Sequence, residues 1–250
     1  MRSAGLLVAV AGCGFHASAP PAQDPPADAG AADGPGALDA GPTPDAIAAA
    51  FCDKADLDLM VCYEFEDNVK DGSAHGFDAS PNGVSYTDGK VGRALKFAAG
   101  NSAHVGGSTV FDVSRLTLEA WVQPAQILAA AQVIVDVDMQ YALFINNDGT
   151  VTCDLRGNRA LTTTAKLVGG QWAHVACTWD GSRTRIYLDG TLSISNPGNG
   201  ALVAGGHPMA IAANQPMGAE LVGLIDQLRL MSVARSAAEI CGDAGRTSCP

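Results

Sequence analysis

Seven cysteines in a chain of 250 residues carry the most distinctive chemistry of this sequence, and they fall into two kinds. Cys13 follows Val10-Ala11-Gly12 at the end of a short apolar run, Gly5–Ala11, with the positive charge of Arg2 ahead of it. Small residues before a cysteine suit an extended chain entering a narrow protease cleft. The pattern looks like a lipobox, cut in front of Cys13 so that its thiol receives a diacylglycerol. The run is far short of the roughly 20 apolar residues of a spanning helix, and it sits at the low end for a signal core. The other six, Cys52, Cys62, Cys153, Cys177, Cys241 and Cys249, show no CxxC array with zinc spacing. An even number in an exported chain reads as three disulfides.

The acidic and aromatic residues offer less. Glycoside hydrolysis needs two carboxyl groups at a fixed separation. The nearest approach is Asp136 and Asp138 in Val135-Asp-Val-Asp138, which has no glutamate in register. Glu119 stands alone beside Trp121 on its strand face, and Arg229 is its expected partner in a structural ion pair. His174 has no Ser or Cys nucleophile arranged with it, so it reads as a packed, hydrogen-bonded histidine. Trp121, Trp172 and Trp179 could stack on sugar rings, but packing in the core or on a sheet face is the expectation. His75, His104 and His207 have no metal-like spacing. No catalytic residue is expected.

What must position these residues is a set of short strands. The net charge is −11, and no Lys or Arg cluster provides a nucleic-acid footprint. Between Arg2 and Lys54 there is no Lys or Arg, while five aspartates and seven of the thirteen prolines fall within the first fifty residues. That stretch lacks the aromatic and branched residues that offset backbone ordering entropy. The organisation expected is a signal peptide over 1–12, a lipid-anchored disordered linker over 13–50, and a folded domain over 51–250.

From Leu59 onward, Asp-Gly and Asn-Gly turns (Asn82-Gly83, Asp88-Gly89, Asp148-Gly149, Asp189-Gly190 and others) punctuate runs of strand composition. These runs are Met60–Glu66, Ala94–Phe97, Leu116–Val122, Gln132–Val137, Tyr141–Ile145, Thr150–Leu155, Trp172–Trp179, Thr184–Leu188 and Leu221–Leu230. In Leu116–Val122 one face is aliphatic and the other carries Thr117, Glu119 and Trp121. Helical character is confined to a short Ser236–Ile240 turn. Many short antiparallel strands imply an all-β, two-sheet antiparallel sandwich. Cys153 and Cys177 lie on strands expected to be neighbours, which pairs them. For the rest, Cys52 with Cys62 and Cys241 with Cys249 is one solution and a cross-link between the two ends is another, with the local pairs preferred. The Ala213–Glu220 loop, with Asn214-Gln215-Pro216, is a place where a rigid sandwich could carry a ligand site.

Six segments in order are similar to the bacterial laminin-G-like domains of the concanavalin A-like lectin/glucanase superfamily. They are Cys62-Tyr-Glu-Phe-Glu-Asp-Asn68, Gly89-Lys-Val-Gly-Arg-Ala-Leu-Lys-Phe97, Leu116-Thr-Leu-Glu-Ala-Trp-Val122, Gln171-Trp-Ala-His-Val-Ala-Cys-Thr-Trp-Asp-Gly181, Ile186-Tyr-Leu-Asp-Gly190 and Gly223-Leu-Ile-Asp-Gln-Leu-Arg-Leu230. The resemblance covers about residues 57–240 and implies a jelly-roll. It also implies a structural Ca²⁺ held by Glu66 and Asp226, completed by carbonyls near Gly100 and Asn101 and by water. Asp67 stands where relatives often have Gly.

The fold hosts lectins, adhesion modules, enzymes and spacers. The expected function is a lipoprotein of the cell envelope, held to a membrane by its lipid, whose non-catalytic domain binds an extracellular glycan or protein in recognition or adhesion. The alternatives are a structural envelope component without a discrete ligand and a degenerate polysaccharide-active enzyme.

Overall fold

The computed structural model describes residues 51–156, 160–198, 200–214 and 218–249. Cys13 and the expected signal peptide and linker lie outside these residues. Among them run fifteen strands in chain order: β1 (Leu59–Tyr63), β2 (Ser80–Asn82), β3 (Ser85–Asp88), β4 (Arg93–Phe97), β5 (Ser102–Val105), β6 (Leu116–Pro124), β7 (Gln132–Val137), β8 (Tyr141–Ile145), β9 (Thr150–Leu155), β10 (Leu161–Lys166), β11 (Ala173–Trp179), β12 (Arg183–Leu188), β13 (Thr191–Pro197), β14 (Met209–Ile211) and β15 (Gly223–Met231). One helix follows, α1 (Ala237–Asp243). No helix among the described residues is long and apolar enough to cross a membrane.

The strands form two sheets, every pairing antiparallel. One has the order β13-β12-β11-β6-β15-β4-β3, with β1 also pairing to β15; the other runs β10-β9-β8-β7-β14-β5-β2. The period-two alternation decides which side chains meet between the sheets. Leu116, Leu118, Ala120 and Val122 from β6 face Val135, Val137, Leu143 and Ile145 from the second sheet in one continuous core, with Trp179 and Tyr141 buried in it. This is the all-β sandwich that the turn spacing predicts.

Two features of the fold depart from expectation and bear on the site. First, β6 is buried on both faces, Thr117 and Glu119 as fully as Leu118. The reason is that the segment at Phe51–Cys52 and helix α1 pack on the outer face of the eight-stranded sheet. Phe51 and Cys52 pack with Leu59, Cys62 and Met231. Helix α1 lays Ile240 on Ala176 and Tyr187. It is started by a capping box in which Ser236 and Glu239 each satisfy the other's amide.

Second, Cys153 and Cys177 are bonded, with Cα atoms 6.2 Å apart, but their strands are not neighbours in a sheet. β9 belongs to the seven-stranded sheet and β11 to the eight-stranded one. The bridge therefore ties the two layers together through the core, on the side where β10 also meets β13. The remaining bonds are Cys52–Cys62 and Cys241–Cys249. Three disulfides mark an exported domain.

Candidate functional site

On the outer face of the seven-stranded sheet, backbone register lines up one row of side chains across six strands. Ser80 is opposite His104, His104 opposite Ala210, Ala210 opposite Asp136, Asp136 opposite Ala142, and Ala142 opposite Asp154. Alanines thus stand opposite Asp136 on both neighbouring strands. Phe144, half-buried, projects two residues further along β8 on the same face. Asp136, Ala142, Phe144, Asp154, Arg156, Met139 and Asn214 line a cleft of ≈ 260 Å³ here. Asp136 is only 7 % exposed, whereas Met139 on the adjoining turn is 59 % exposed. Arg156 Nε lies 3.8 Å from Asp154 Oδ2.

The sequence pointed to Asp136 but paired it with Asp138. The structure gives Asp138 a different task at the sheet end, where its amide donates to Pro208 and its carboxylate lies 4.0 Å from His207. Asp154 went unnoticed, because its relation to Asp136 exists only through the β7–β8–β9 register. Of the Asn214-Gln215-Pro216 segment, Asn214 borders the cleft; Gln215 and Pro216 lie outside the described residues.

The outer face of the other sheet is closed over by a charge network. Arg229 Nε donates to Glu119 Oε1 at 2.6 Å, the ion pair expected from the sequence. The same guanidinium reaches Asp243 at 2.7 Å and the Phe51 carbonyl at 3.0 Å, and stacks on the Phe51 ring. Arg235 joins Asp243 at 2.8 Å. His174 Nε2 lies 3.3 Å from Glu119 Oε2, with its ring edge-on to Trp121. Burial alone would raise the Glu119 carboxyl. Its hydrogen bond to His174 and the Arg229 charge outweigh that and hold it well below the usual carboxylate range. His174 is 1 % exposed and Trp179 fully buried, so neither presents itself to a ligand; Trp121 is covered by Lys90. Trp172 is half-buried just ahead of β11.

Glu66 and Asp226 meet at a seam. The edge of β15 away from β6 pairs with β4 up to Ile225 and with β1 from Leu228 onward. Asp226 and Gln227 fall in the gap, where the β6 register also shifts. The turn Gly89–Arg93 closes over both carboxylates: the Val91 amide donates to Asp226 Oδ2 at 2.9 Å, and the Arg93 amide to Glu66 at 3.1 Å. A Cβ on Gly89 would stand 2.6 Å from Asp226 Oδ2 and one on Gly92 2.2 Å from Glu66 Oε1, so only glycine admits this approach. Phe65, Asp67 and Gln227 hold positive φ beside the two acids. Asp67, at φ 53°, therefore occupies a conformation that glycine adopts more readily.

Asp226 Oδ1 is buried with no hydrogen-bond partner. Burial pushes the Asp226 carboxyl up to about 6, with the Glu66 charge acting in the same direction and amides of Val91, Lys90 and Gln227 opposing. An orphaned carboxylate oxygen beside a second negative charge fits a divalent cation. Among the described residues no three His, Cys, Asp or Glu side chains gather as a metal cage, so carbonyls and water would supply the rest of the shell. The Gly100–Asn101 turn is engaged locally with Ala98.

No curated protein matches the chain. Among solved structures, domain 4 of AbnA, a GH43 extracellular arabinanase from Geobacillus stearothermophilus, in complex with arabinotriose, is similar with a TM-score of 0.64 at 19% identity, over 76% of this chain and 98% of that one. The binding domain of Paraclostridial Mosquitocidal Protein 1 also has a TM-score of 0.64, at 16% identity over 75% of this chain. The receptor binding domain of botulinum neurotoxin D has a TM-score of 0.57 at 13% identity over 75% of this chain. In both of the latter the similarity spans 52% of the other chain. At these identities the likeness establishes the fold; the first is one domain of an arabinanase, and the other two are named as binding domains. Residues 97–241, more than half of the chain, match the Laminin_G_3 family. The chain therefore belongs to the laminin-G-like branch of the concanavalin A-like lectin/glucanases superfamily.

Proposed function

We propose that this protein is a non-catalytic binding module that takes a carbohydrate in the cleft on the outer face of its seven-stranded sheet. The observation that carries the reading is the row Ala210–Asp136–Ala142–Asp154 with Phe144 beside it. Carboxylates accept hydrogen bonds from sugar hydroxyls, small neighbours leave the ring room, and an aromatic face stacks on its C–H side. The arabinotriose complex of a domain with this fold gives the reading further support. The test is a glycan array probed with the full chain. Some neutral or acidic glycan binds, and Phe144→Ala or Asp136→Ala weakens it at least tenfold without lowering the melting temperature by more than a few degrees. Unchanged binding in both variants would remove the site from this cleft.

Glu66 and Asp226 serve, in this reading, as protein ligands of a structural Ca²⁺ that fastens the seam between the first and last strands. Cys13, after cleavage, carries the lipid that holds the protein to a membrane of the cell envelope.

A second reading, hydrolysis, is favoured by the presence of Asp136 and Asp154 in one cleft. Two strand spacings put their Cα atoms about 9.6 Å apart, and a pair of carboxyl groups flanking a water is what inverting glycosidases use. New reducing ends that form on incubation with bound glycans, and vanish in both Asp136→Asn and Asp154→Asn, would replace the binding reading with this one.

A further inference from the structure

From the direction of one hydrogen-bond chain on the same sheet face we infer that the site continues past Phe144 to the hydroxyl of Thr162, and that its ligand is a chain of linked sugars laid across the strands rather than a single terminal sugar. The inference rests on the carbohydrate reading above and specifies the class of ligand.

Beside the row that holds Asp154 runs a second one on the same face. Phe144 of β8 stands opposite Thr152 of β9, and Thr152 opposite Thr162 of β10. Phe144 is half-buried, Thr152 buried and Thr162 exposed.

The polar groups of this row are linked in one direction, and Asp148 fixes it. A carboxylate only accepts, and Thr150 Oγ1 donates its single hydrogen to Asp148 Oδ1 at 2.6 Å. Hydrogen bonds from the Thr150 hydroxyl and amide hold the Asp148 carboxyl down at about 2, so this end of the chain keeps its sense at neutral pH. The Thr150 oxygen must then accept from Asn146, 2.8 Å away, which turns Asn146 Nδ2 towards the threonines. The same Nδ2 donates to Thr152 Oγ1 at 2.9 Å. Thr152 Oγ1 and Thr162 Oγ1 lie 2.7 Å apart. Thr152 is 5 % exposed and has no third side-chain partner among the described residues, so its hydrogen goes to Thr162. Thr162 keeps its own hydrogen, which no described residue takes, at the solvent side of the sheet. Hydrogen bonds in series polarise one another, so this terminal O–H is a stronger donor than an isolated threonine.

Position gives that donor its use. It stands in register with the Phe144 ring, two strands away, about 9.6 Å between Cα atoms. A sugar ring stacked on Phe144 does not reach that far, so Thr162 meets the next ring along. Ring oxygens, glycosidic oxygens and hydroxyls all accept from it. β10 is the last strand of the sheet, and Thr162 and Thr164 are both exposed on it, so among the described residues the row is open at this end. A ligand held at both points crosses β8, β9 and β10 and needs at least two linked rings.

The test is calorimetric titration of the full chain with gluco-, xylo- and arabino-oligosaccharides of one to four units. In a series that binds, affinity rises at least tenfold between one unit and three. Thr162→Val, which keeps the branched shape and loses the donor, abolishes that rise, and Thr162→Ser restores it. Phe144→Ala weakens every length. The melting temperature of Thr162→Val stays within a few degrees of the parent's, because the side chain is exposed. Affinity independent of length, a rise that survives in Thr162→Val, or a loss that Thr162→Ser does not restore would overturn the inference while leaving the carbohydrate reading in place, as would absence of binding across all three series. A blank glycan array, or one unchanged by Phe144→Ala and Asp136→Ala, brings down the carbohydrate reading itself.

Discussion

Arg229 satisfies two carboxylates and a carbonyl from three separate parts of the chain, and Glu119 is the one buried deepest. Removing one member of a buried pair leaves the other charge unanswered. Glu119→Ala is therefore expected to cost about 3–5 kcal/mol in chemical denaturation, whereas Glu119→Leu combined with Arg229→Met costs much less. The pH dependence follows with a definite sign. The folded-state carboxyl is held down at about 2 against an unperturbed 4.5, so the unfolded chain binds the proton more readily. The Glu119 contribution is complete above pH about 4.5 and is lost as pH falls towards 2. Stability measured between pH 5 and 2.5 should fall less steeply in the Glu119→Leu/Arg229→Met variant. At the seam, an ion that binds only the folded chain raises stability by about 2.7 kcal/mol at a hundred times its dissociation constant. Added Ca²⁺ should raise the melting temperature, a chelator should lower it, and Asp226→Asn should respond to neither. A parent protein indifferent to both would leave Glu66 and Asp226 as ordinary carboxylates.

Among the elements, the disulfide across the two layers has the most to hold. Cys153–Cys177 closes a segment of 24 residues and Cys241–Cys249 one of 8. By loop entropy alone the first is worth about 3.5 kcal/mol and the second about 2.5. The double variant Cys153→Ala/Cys177→Ala should melt well below Cys241→Ala/Cys249→Ala, and calorimetry of the two decides it. Strands announced by both turn dipeptides and alternation were legible: β6, β8–β9 and β11–β12 lie within a residue or two of the expected runs. The partly exposed β10 and β13, six and seven residues long, were not foreseen, and neither were the shortest strands. β2 is Ser80-Pro81-Asn82 with all three residues exposed, and β14 is three residues long. Such segments become strands because a neighbour offers them backbone partners, a fact of register that composition does not carry. The candidate site was legible to the same extent. Asp136 stood out in its own strand, while Asp154 and the flanking alanines acquire meaning only through pairing.

For the molecule as a whole, the two outer faces have opposite roles. Phe51, Cys52 and helix α1 pack over the eight-stranded sheet, while among the described residues the seven-stranded sheet carries the cleft. If Cys13 carries the lipid, Cys13→Ser should move the protein from the membrane to the soluble fraction of fractionated cells, with an unchanged melting temperature for the domain. Persistence in the membrane fraction would end the lipoprotein reading.

The bond Cys52–Cys62 has a mechanical meaning. A pull on the chain from its N-terminal side does not reach β1 at Leu59, where the strand could be peeled from β15 one hydrogen bond at a time. It passes through the sulfurs and enters at Cys62, next to the far end of the strand. Leu59, Met60 and Val61 then belong to a covalently closed loop that bears no load, and rupture requires many ladder bonds to shear together. Stretching a single molecule before and after reduction would show the difference as slack. The ten residues released by opening this bond lengthen the tether by about 35 Å, and the force at which the sandwich first yields should drop with it.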